Sequence, residues 1–263
     1  MGEKVPHRLR GKSKSELRAL HAPHLIRRRL SKRKEVTHVP DAVLGAIDGT
    51  VTTFAVIAAA AGAGLGPGVA IVLGGANLLS DGLSMAVGNY QANKTEVDFL
   101  HEVRKAEEEQ VDKFPEGEKE EIRQIYAAKG FSGELLEKVV GVICENREHW
   151  INTMLREEHG LSTSLSSPVK AGLTTFVAFV VAGAIPLLPF VGGIWLGTAQ
   201  VFMWSILLTL VTFFFIGWLK GGMVGGNKLK GGLETLVVGG LAAFVAFQVG
   251  SFLEGFVPSH FFE

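Results

Sequence analysis

Two carboxylates stand where an apolar chain has no ordinary use for them. Only 32 residues, 49–80, separate Asp48 from Asp81, and none of them is charged. Two membrane-crossing helices and a turn need more than about 40 residues, at about 20 apolar residues per crossing. Both acids therefore fall within the membrane rather than at its edges. An acid at that depth costs roughly 2.5–3.5 kcal/mol on insertion scales, and it faces a polar path or a partner. Asp41 and Asp48, seven apart, share a face of the first helix, and Asn77, Asp81 and Met85, spaced by four, share a face of the second. With a turn at Gly62–Gly68, Asp48 lies about 21 Å below it and Met85 about 24 Å, at ~1.5 Å per residue. A carboxylate and a thioether at one level form a mixed donor set. Oxygen suits Mg, Ca and Mn, the softer sulfur favours later metals, and the mixture suits an intermediate ion such as ferrous iron. Met85 taken alone is equally a packing residue, and Asp81 equally a partner for Ser84 or a backbone group. Gly45 and Gly49 form a GxxxG spacing compatible with a dimer seam beside the Asp48 face.

A second set of donors follows in an acidic stretch. Glu107 and Gln110 are three apart, Glu118 and Glu121 three apart, and Met154 and Glu158 four apart, so each pair shares a helix face. Three such faces turned together make an oxygen-rich cage with some sulfur. The plainer reading is that acidic helices are solvated surface. Carboxylates at this density repel unless a cation neutralises them, and either a metal or the basic N-terminal segment supplies one. His101, His149 and His159 lie in the same stretch and are read as surface or interhelical residues. A di-iron oxidase would need Glu-x-x-His on each of two helices, and no such pair is present in duplicate. Cys144, the single cysteine, excludes a disulfide framework and a CxxC zinc site, and reads as a small apolar filler.

The elements that must hold these residues follow from charge and hydropathy. The 263 residues carry 26 Lys+Arg and 26 Asp+Glu, a zero sum that hides segregation. Residues 1–40 hold 12 basic and 3 acidic residues, and 93–160 hold 10 and 17. Blocks of this kind argue against one soluble globule. From Ala171 to Leu219 there is no charged residue, a run of 49 that fits two crossings broken at Pro186–Gly193. A further run, Leu233–Leu253, makes a fifth crossing beside those near 42–62 and 69–91.

The expected fold class is an all-α membrane protein. Five transmembrane helices carry a helical cytoplasmic metal-binding domain inserted between the second and third. Its parts are a basic arm (1–40), spans one and two (41–92), the acidic domain (93–167), spans three to five (168–253) and an outward tail (254–263). Lys and Arg concentrate in the arm, in the acidic segment and in the Lys220–Lys230 loop, which places those segments and the N-terminus in the cytoplasm. The second span has no breaker before Phe114-Pro115, so its helix runs on to about residue 113. Helices at about 118–129, 132–146 and 147–159 follow, the last closed by Gly160. No signal peptide is visible. The basic arm reads as a contact with anionic lipid, and nothing beside its charge supports nucleic acid.

The chain resembles the vacuolar iron transporter family over about residues 40–255. The segments that carry it are Asp41-Ala-Val-Leu-Gly-Ala-Ile-Asp48-Gly49, Asn77-Leu-Leu-Ser-Asp81-Gly-Leu-Ser84-Met85-Ala86 and Met154-Leu-Arg-Glu-Glu158-His-Gly160-Leu161. The resemblance implies a five-span homodimer whose path runs between the two copies of helices one and two. It implies an intramembrane metal site of Asp48 and Met85, with Asp41 nearer the cytoplasmic mouth. It implies a cytoplasmic metal-binding domain using Glu107, Glu118, Glu121, Met154 and Glu158. It also implies export of Fe2+ from the cytosol, with Mn2+ as a second substrate, in exchange for protons. Zn2+ and Co2+ remain further candidate ions, and no prosthetic group is implied. Two positions depart from the plant relatives: Asn77 stands where an acid guards the cytoplasmic mouth, and Gln110 where the domain has another Glu. The Asn77-Leu-Leu-x-Asp81-Gly segment resembles the prokaryotic branch, which favours a cell membrane over a vacuole. The expected function is transport, not catalysis. The rivals are a membrane-anchored metal sensor, a carboxylate-bridged ferroxidase and, more remotely, a proton channel.

Overall fold

A computed structural model describes residues 13–31, 37–62, 65–193 and 198–254. Parts of the basic arm (1–12 and 32–36), of the first turn (63–64) and the tail after Glu254 lie outside the described residues.

Among the described residues the chain is all-α. The helices are α1 (Lys14–Leu20), α2 (Pro23–Ser31), α3 (Val39–Gly62), α4 (Pro67–Lys113), α5 (Pro115–Ala128), α6 (Gly133–Glu145), α7 (Arg147–Glu157) and α8 (Pro168–Gly183). A 3-10 turn at Ile185–Leu187 leads to α9 (Leu188–Gly192), α10 (Thr198–Val224) and α11 (Lys228–Glu254). Five stretches are long and apolar enough to cross a membrane: Val39–Ala61, Pro67–Lys113, Pro168–Gly192, Ala199–Val224 and Lys228–Val249. These are the five expected crossings. Large apolar side chains such as Leu79, Leu83 and Val87 on α4 and Val237 and Leu241 on α11 are exposed. Water would reject such a surface, whereas hydrocarbon accepts it.

The expected run-on of the second crossing is present. Residues 67–113 form one helix of 47 residues, which ends where Pro115 opens α5. Proline fits there because its missing N–H falls among the unpaired first-turn donors. The arm contains two short helices that the charge pattern did not suggest. The first begins with a capping box in which Ser13 and Glu16 satisfy each other's backbone N–H.

The chain divides into two compact units, Met1–Tyr90 with Val169–Glu263, and Gln91–Pro168. In the first, Ile57, Leu78, Phe179, Phe190 and Val201 form a buried core. In the second, Val111, Ile122, Val140, Ile151, Met154 and Leu155 do so.

The GxxxG spacing has a different use from the dimer seam considered above. A Cβ on Gly45 would lie 2.3 Å from the Thr175 carbonyl oxygen, and one on Gly49 would lie 2.4 Å from that of Phe179. These glycines seat α3 directly on the backbone of α8, within one chain. On the other side, Gly172 of α8 lies against the Ala86 carbonyl of α4, where a Cβ would come within 2.7 Å. Helix α8 thus packs closely on both polar-bearing helices, α3 and α4. Small residues permit this, since helices in lipid associate largely through close van der Waals contact.

Candidate metal sites

The membrane-crossing unit places the polar residues of α3 and α4 toward one another. The carboxylates of Asp48 and Asp81 are near enough to repel. Among the described residues Asp81 has no hydrogen bond to Ser84, so the local structural role considered for it is not observed. Asn77, one turn earlier, is half-buried, and its side-chain nitrogen is buried without a partner. Toward the other end of the stripe, Asn89 donates to the Asp41 carboxylate (2.9 Å) and to Thr175 Oγ1 (2.7 Å). His38 Nδ1 lies 2.9 Å from the other Asp41 oxygen. Asp41 is therefore held by protein partners on both oxygens. Asn89 continues the spacing of four from Met85, a signal present in the sequence but not used above. His38 and Thr175 carried no such signal.

Asp48 and Met85 occupy different surroundings in a single chain. Asp48 lines a groove of about 690 Å3 beside Val43, Ile47, Val51, Lys220 and Ala242. Met85 instead packs against the apolar core around Phe179 and Leu78. Met85 is not among the residues that line this groove.

The acidic unit sorts its carboxylates into two populations. Most face outward and pair with cations. Arg104 binds Glu108 (2.9 Å) and Glu148 (2.5 Å), Arg147 binds Asp112 (2.9 Å), and Arg123 binds Glu137 (2.7 Å) and Glu120. Exposed pairs of this kind contribute at most about 1 kcal/mol each. Glu107 and Glu118 behave differently. They are only 2% and 4% exposed, and each has one carboxylate oxygen buried without a hydrogen-bond partner. A buried, unpaired carboxylate is costly unless something neutralises it.

Around these two lie Gln110, whose amide reaches Glu107 Oε1 at 3.5 Å, and Glu121 and Glu158, both close enough to act on Glu118. His159 Nε2 lies 2.8 Å from Glu107 Oε1 and 3.7 Å from Glu158 Oε2. Glu107, Glu158 and His159 offer ligand atoms all within 4.8 Å of one another. Met154, expected as a thioether donor, is fully buried in the apolar core of α4–α7. His101, His149 and His159 are all exposed, and His159 is the interhelical case, its ring reaching Glu107 of α4.

Local structure explains the position of His159. Helix α7 ends in a turn where the Leu161 N–H reaches back to the Leu155 carbonyl (2.8 Å). Gly160 adopts φ +65, the left-handed conformation this closure requires. Leu161 packs on the core of the unit and anchors the turn. The residue between helix and turn, His159, is thereby held against Glu107.

The electrostatics favour protonated acids. Burial, then repulsion from Glu121, Glu107 and Glu158, pushes Glu118 up to about 7. Burial and then Glu121 raise Glu158, and the hydrogen bond that His159 donates to the Glu107 carboxylate raises His159. An acid whose folded pKa is raised binds more protons folded than unfolded. Its contribution to stability is full below its ordinary pKa of 4.5 and is lost as pH climbs through about 7. The raised histidine acts in the same direction. We therefore expect hydrogen exchange in 115–158 of the metal-free protein, divided by the intrinsic exchange rate at each pH, to rise between pH 5 and pH 8. Glu118→Gln should flatten that rise. An unchanged slope in the variant would show that Glu118 does not carry the proton.

The comparisons with known proteins agree with this architecture. The VIT family model matches residues 39–251. A Toxoplasma gondii protein named vacuolar iron transporter is 34% identical over 251 residues, covering 90% of this chain and 83% of the relative. Vacuolar iron transporter 1 of Oryza sativa subsp. japonica is 30% identical, covering 80% of this chain and 82% of its own length. The Arabidopsis thaliana protein of the same name is also 30% identical, with 80% and 83% covered. The expected kinship with the prokaryotic branch is not borne out, since these relatives come from an apicomplexan and from plants. The short segment at Asn77–Gly82 had suggested it, and six residues weigh little against similarity spread over more than 200. By the match across five membrane-crossing helices and the unit between them, the chain belongs to the VIT family.

Proposed function

We propose that this protein transports divalent transition metal across a membrane, removing Fe2+ from the cytosol in exchange for protons. The observation that carries this reading is the placement of two carboxylates, Asp48 and Asp81, on two helices that are apolar enough to cross the membrane. Two acids held together in an apolar surrounding are stabilised by a cation that passes between them. The names of the relatives support iron as the cargo. Mn2+ is the second substrate, and Zn2+ and Co2+ are further ions that the same donors accept.

In this reading the N-terminus faces the cytoplasm, following the Lys and Arg of the arm and of the Lys220–Lys230 loop, and the acidic unit, two crossings on from the N-terminus, faces the same side. Metal collects on Glu107, Glu118, Glu121 and Glu158, with Gln110 contributing an amide oxygen and Met154 lying beneath. It passes the Asp41 level, is held by Asp48, Asp81 and Met85, and leaves outward past Asn77. In a homodimer a second copy of α3 and α4 adds its own donors to the same path. Protons returning through the same carboxylates displace the metal, since a protonated acid no longer binds it.

Proteoliposomes loaded with a metal-sensitive dye test the proposal. Fe2+, Mn2+, Co2+, Ni2+ and Zn2+ are offered at two external pH values. We expect uptake of Fe2+ that a pH gradient accelerates and that an ionophore collapsing the gradient slows. Binding without flux would favour the sensor reading, and oxygen consumption with Fe2+ would favour the ferroxidase.

A further inference from the structure

We infer that His159 is a nitrogen ligand for a divalent transition metal, completing a site with the carboxylates of Glu107 and Glu158. The inference rests on the reading of the acidic unit as metal-binding and deepens it by naming the residue that selects the ion.

Three observations support it. The His159 nitrogen and carboxylate oxygens of Glu107 and Glu158 already converge within 4.8 Å of one another. Donors around a tetrahedral ion at about 2.0–2.2 Å stand about 3–3.5 Å apart, so side-chain rotation of about an ångström closes the site. The second observation is the unpaired oxygens of Glu107 and Glu118, buried beneath this convergence. Glu108, Glu120, Glu137 and Glu148 on the outside of the same unit have Arg partners, and these two buried carboxylates have no Arg or Lys partner among the described residues. The third is the closing turn of α7. The left-handed Gly160 and the anchored Leu161 fix the backbone at His159 and keep the imidazole over Glu107. A solvated surface histidine needs no such restraint.

The consequence is selectivity. An all-oxygen cage suits Mn2+, Mg2+ and Ca2+, whereas an imidazole adds preference for Fe2+, Co2+, Ni2+ and Zn2+. Sequence reading assigned the softer donor to Met154, which the fold places in the apolar core. His159 supplies borderline donor character at the side of the acids. Gln110 lowers the negative charge of the cage, which makes a neutral nitrogen ligand the more influential.

Zn2+ and Mn2+ titrations of the full-length protein in detergent, by calorimetry at pH 7.5, test this. His159→Ala and His159→Gln should each weaken Zn2+ binding at least tenfold and Mn2+ binding less than threefold. The glutamine variant retains hydrogen bonding to Glu107 and guards against a folding defect in the alanine variant. Equal losses for the two metals, or none, would overturn the role of His159. In that event Glu107→Gln separates the two levels. If it weakens both metals, the acidic site stands without His159. If it leaves both unchanged, the metal-binding reading of the unit fails with it.

Discussion

Asp48→Asn should reduce Fe2+ flux by at least roughly 100-fold, the scale on which metal sites suffer when a supporting group is removed, with the folded yield unchanged. The substitution keeps shape and removes the charge that binds metal and proton alike. Asp48 makes no side-chain hydrogen bond among the described residues, and it lines an open groove. Its charge is of the same sign as that of Asp81, so the neutral variant should be at least as stable as the parent. Loss of flux with retained or raised thermal stability is thus the signature of a transport residue. Flux within twofold of the parent would remove Asp48 from the path. Met85→Leu on the same assay separates sulfur chemistry from packing. A thioether role lowers Fe2+ transport more than Mn2+ transport, whereas a residue that only packs on the Phe179 core lowers both equally.

Gly49→Val is expected to abolish folded protein, with no metal involved. The added Cβ would meet the Phe179 carbonyl oxygen at 2.4 Å and the carbonyl carbon at 3.0 Å. Both are backbone atoms in the middle of α8, so no rotamer relieves the clash and the two helices must separate. Overpacking costs typically 1–3 kcal/mol where side chains can yield. Here they cannot, and the cost is about 3 kcal/mol or more. Gly141→Ala is the control. Nothing lies within 4 Å of a Cβ there, and alanine is the better helix former. Its thermal midpoint should stay level or rise. A Gly49→Val protein that folds and melts like the parent would show that α3 does not rest on α8 at this point.

Much of the fold was legible because lipid imposes a simple demand. Crossing helices must be about 20 residues long and apolar, and every backbone group must be satisfied within them. Uncharged runs therefore locate them almost unaided, and the absence of a breaker before Phe114 located the end of α4. The Gly45/Gly49 spacing was legible as a close-packing signal but not as to partner. A GxxxG stripe says that another backbone comes near, and nothing local says whose. The acidic segment posed the same problem. Glu107 and Glu108 are neighbours of identical chemistry, yet one is buried with an oxygen left unpartnered while the other is bound by Arg104. Helical spacing ranks faces and cannot tell which of them turns inward.

The sequence by itself determined the class of protein, the number of crossings and the segregation of charge, because these depend on length along one helix or on composition. Only the tertiary structure decided which donors meet. It seated α3 on α8, tied Asp41 to His38 and Asn89, drew Met85 and Met154 toward apolar cores, and brought His159 to Glu107 across 52 positions of chain. Such meetings depend on how several helix faces pack together and on a turn closed by one left-handed glycine, and neither is encoded in the periodicity of any single segment.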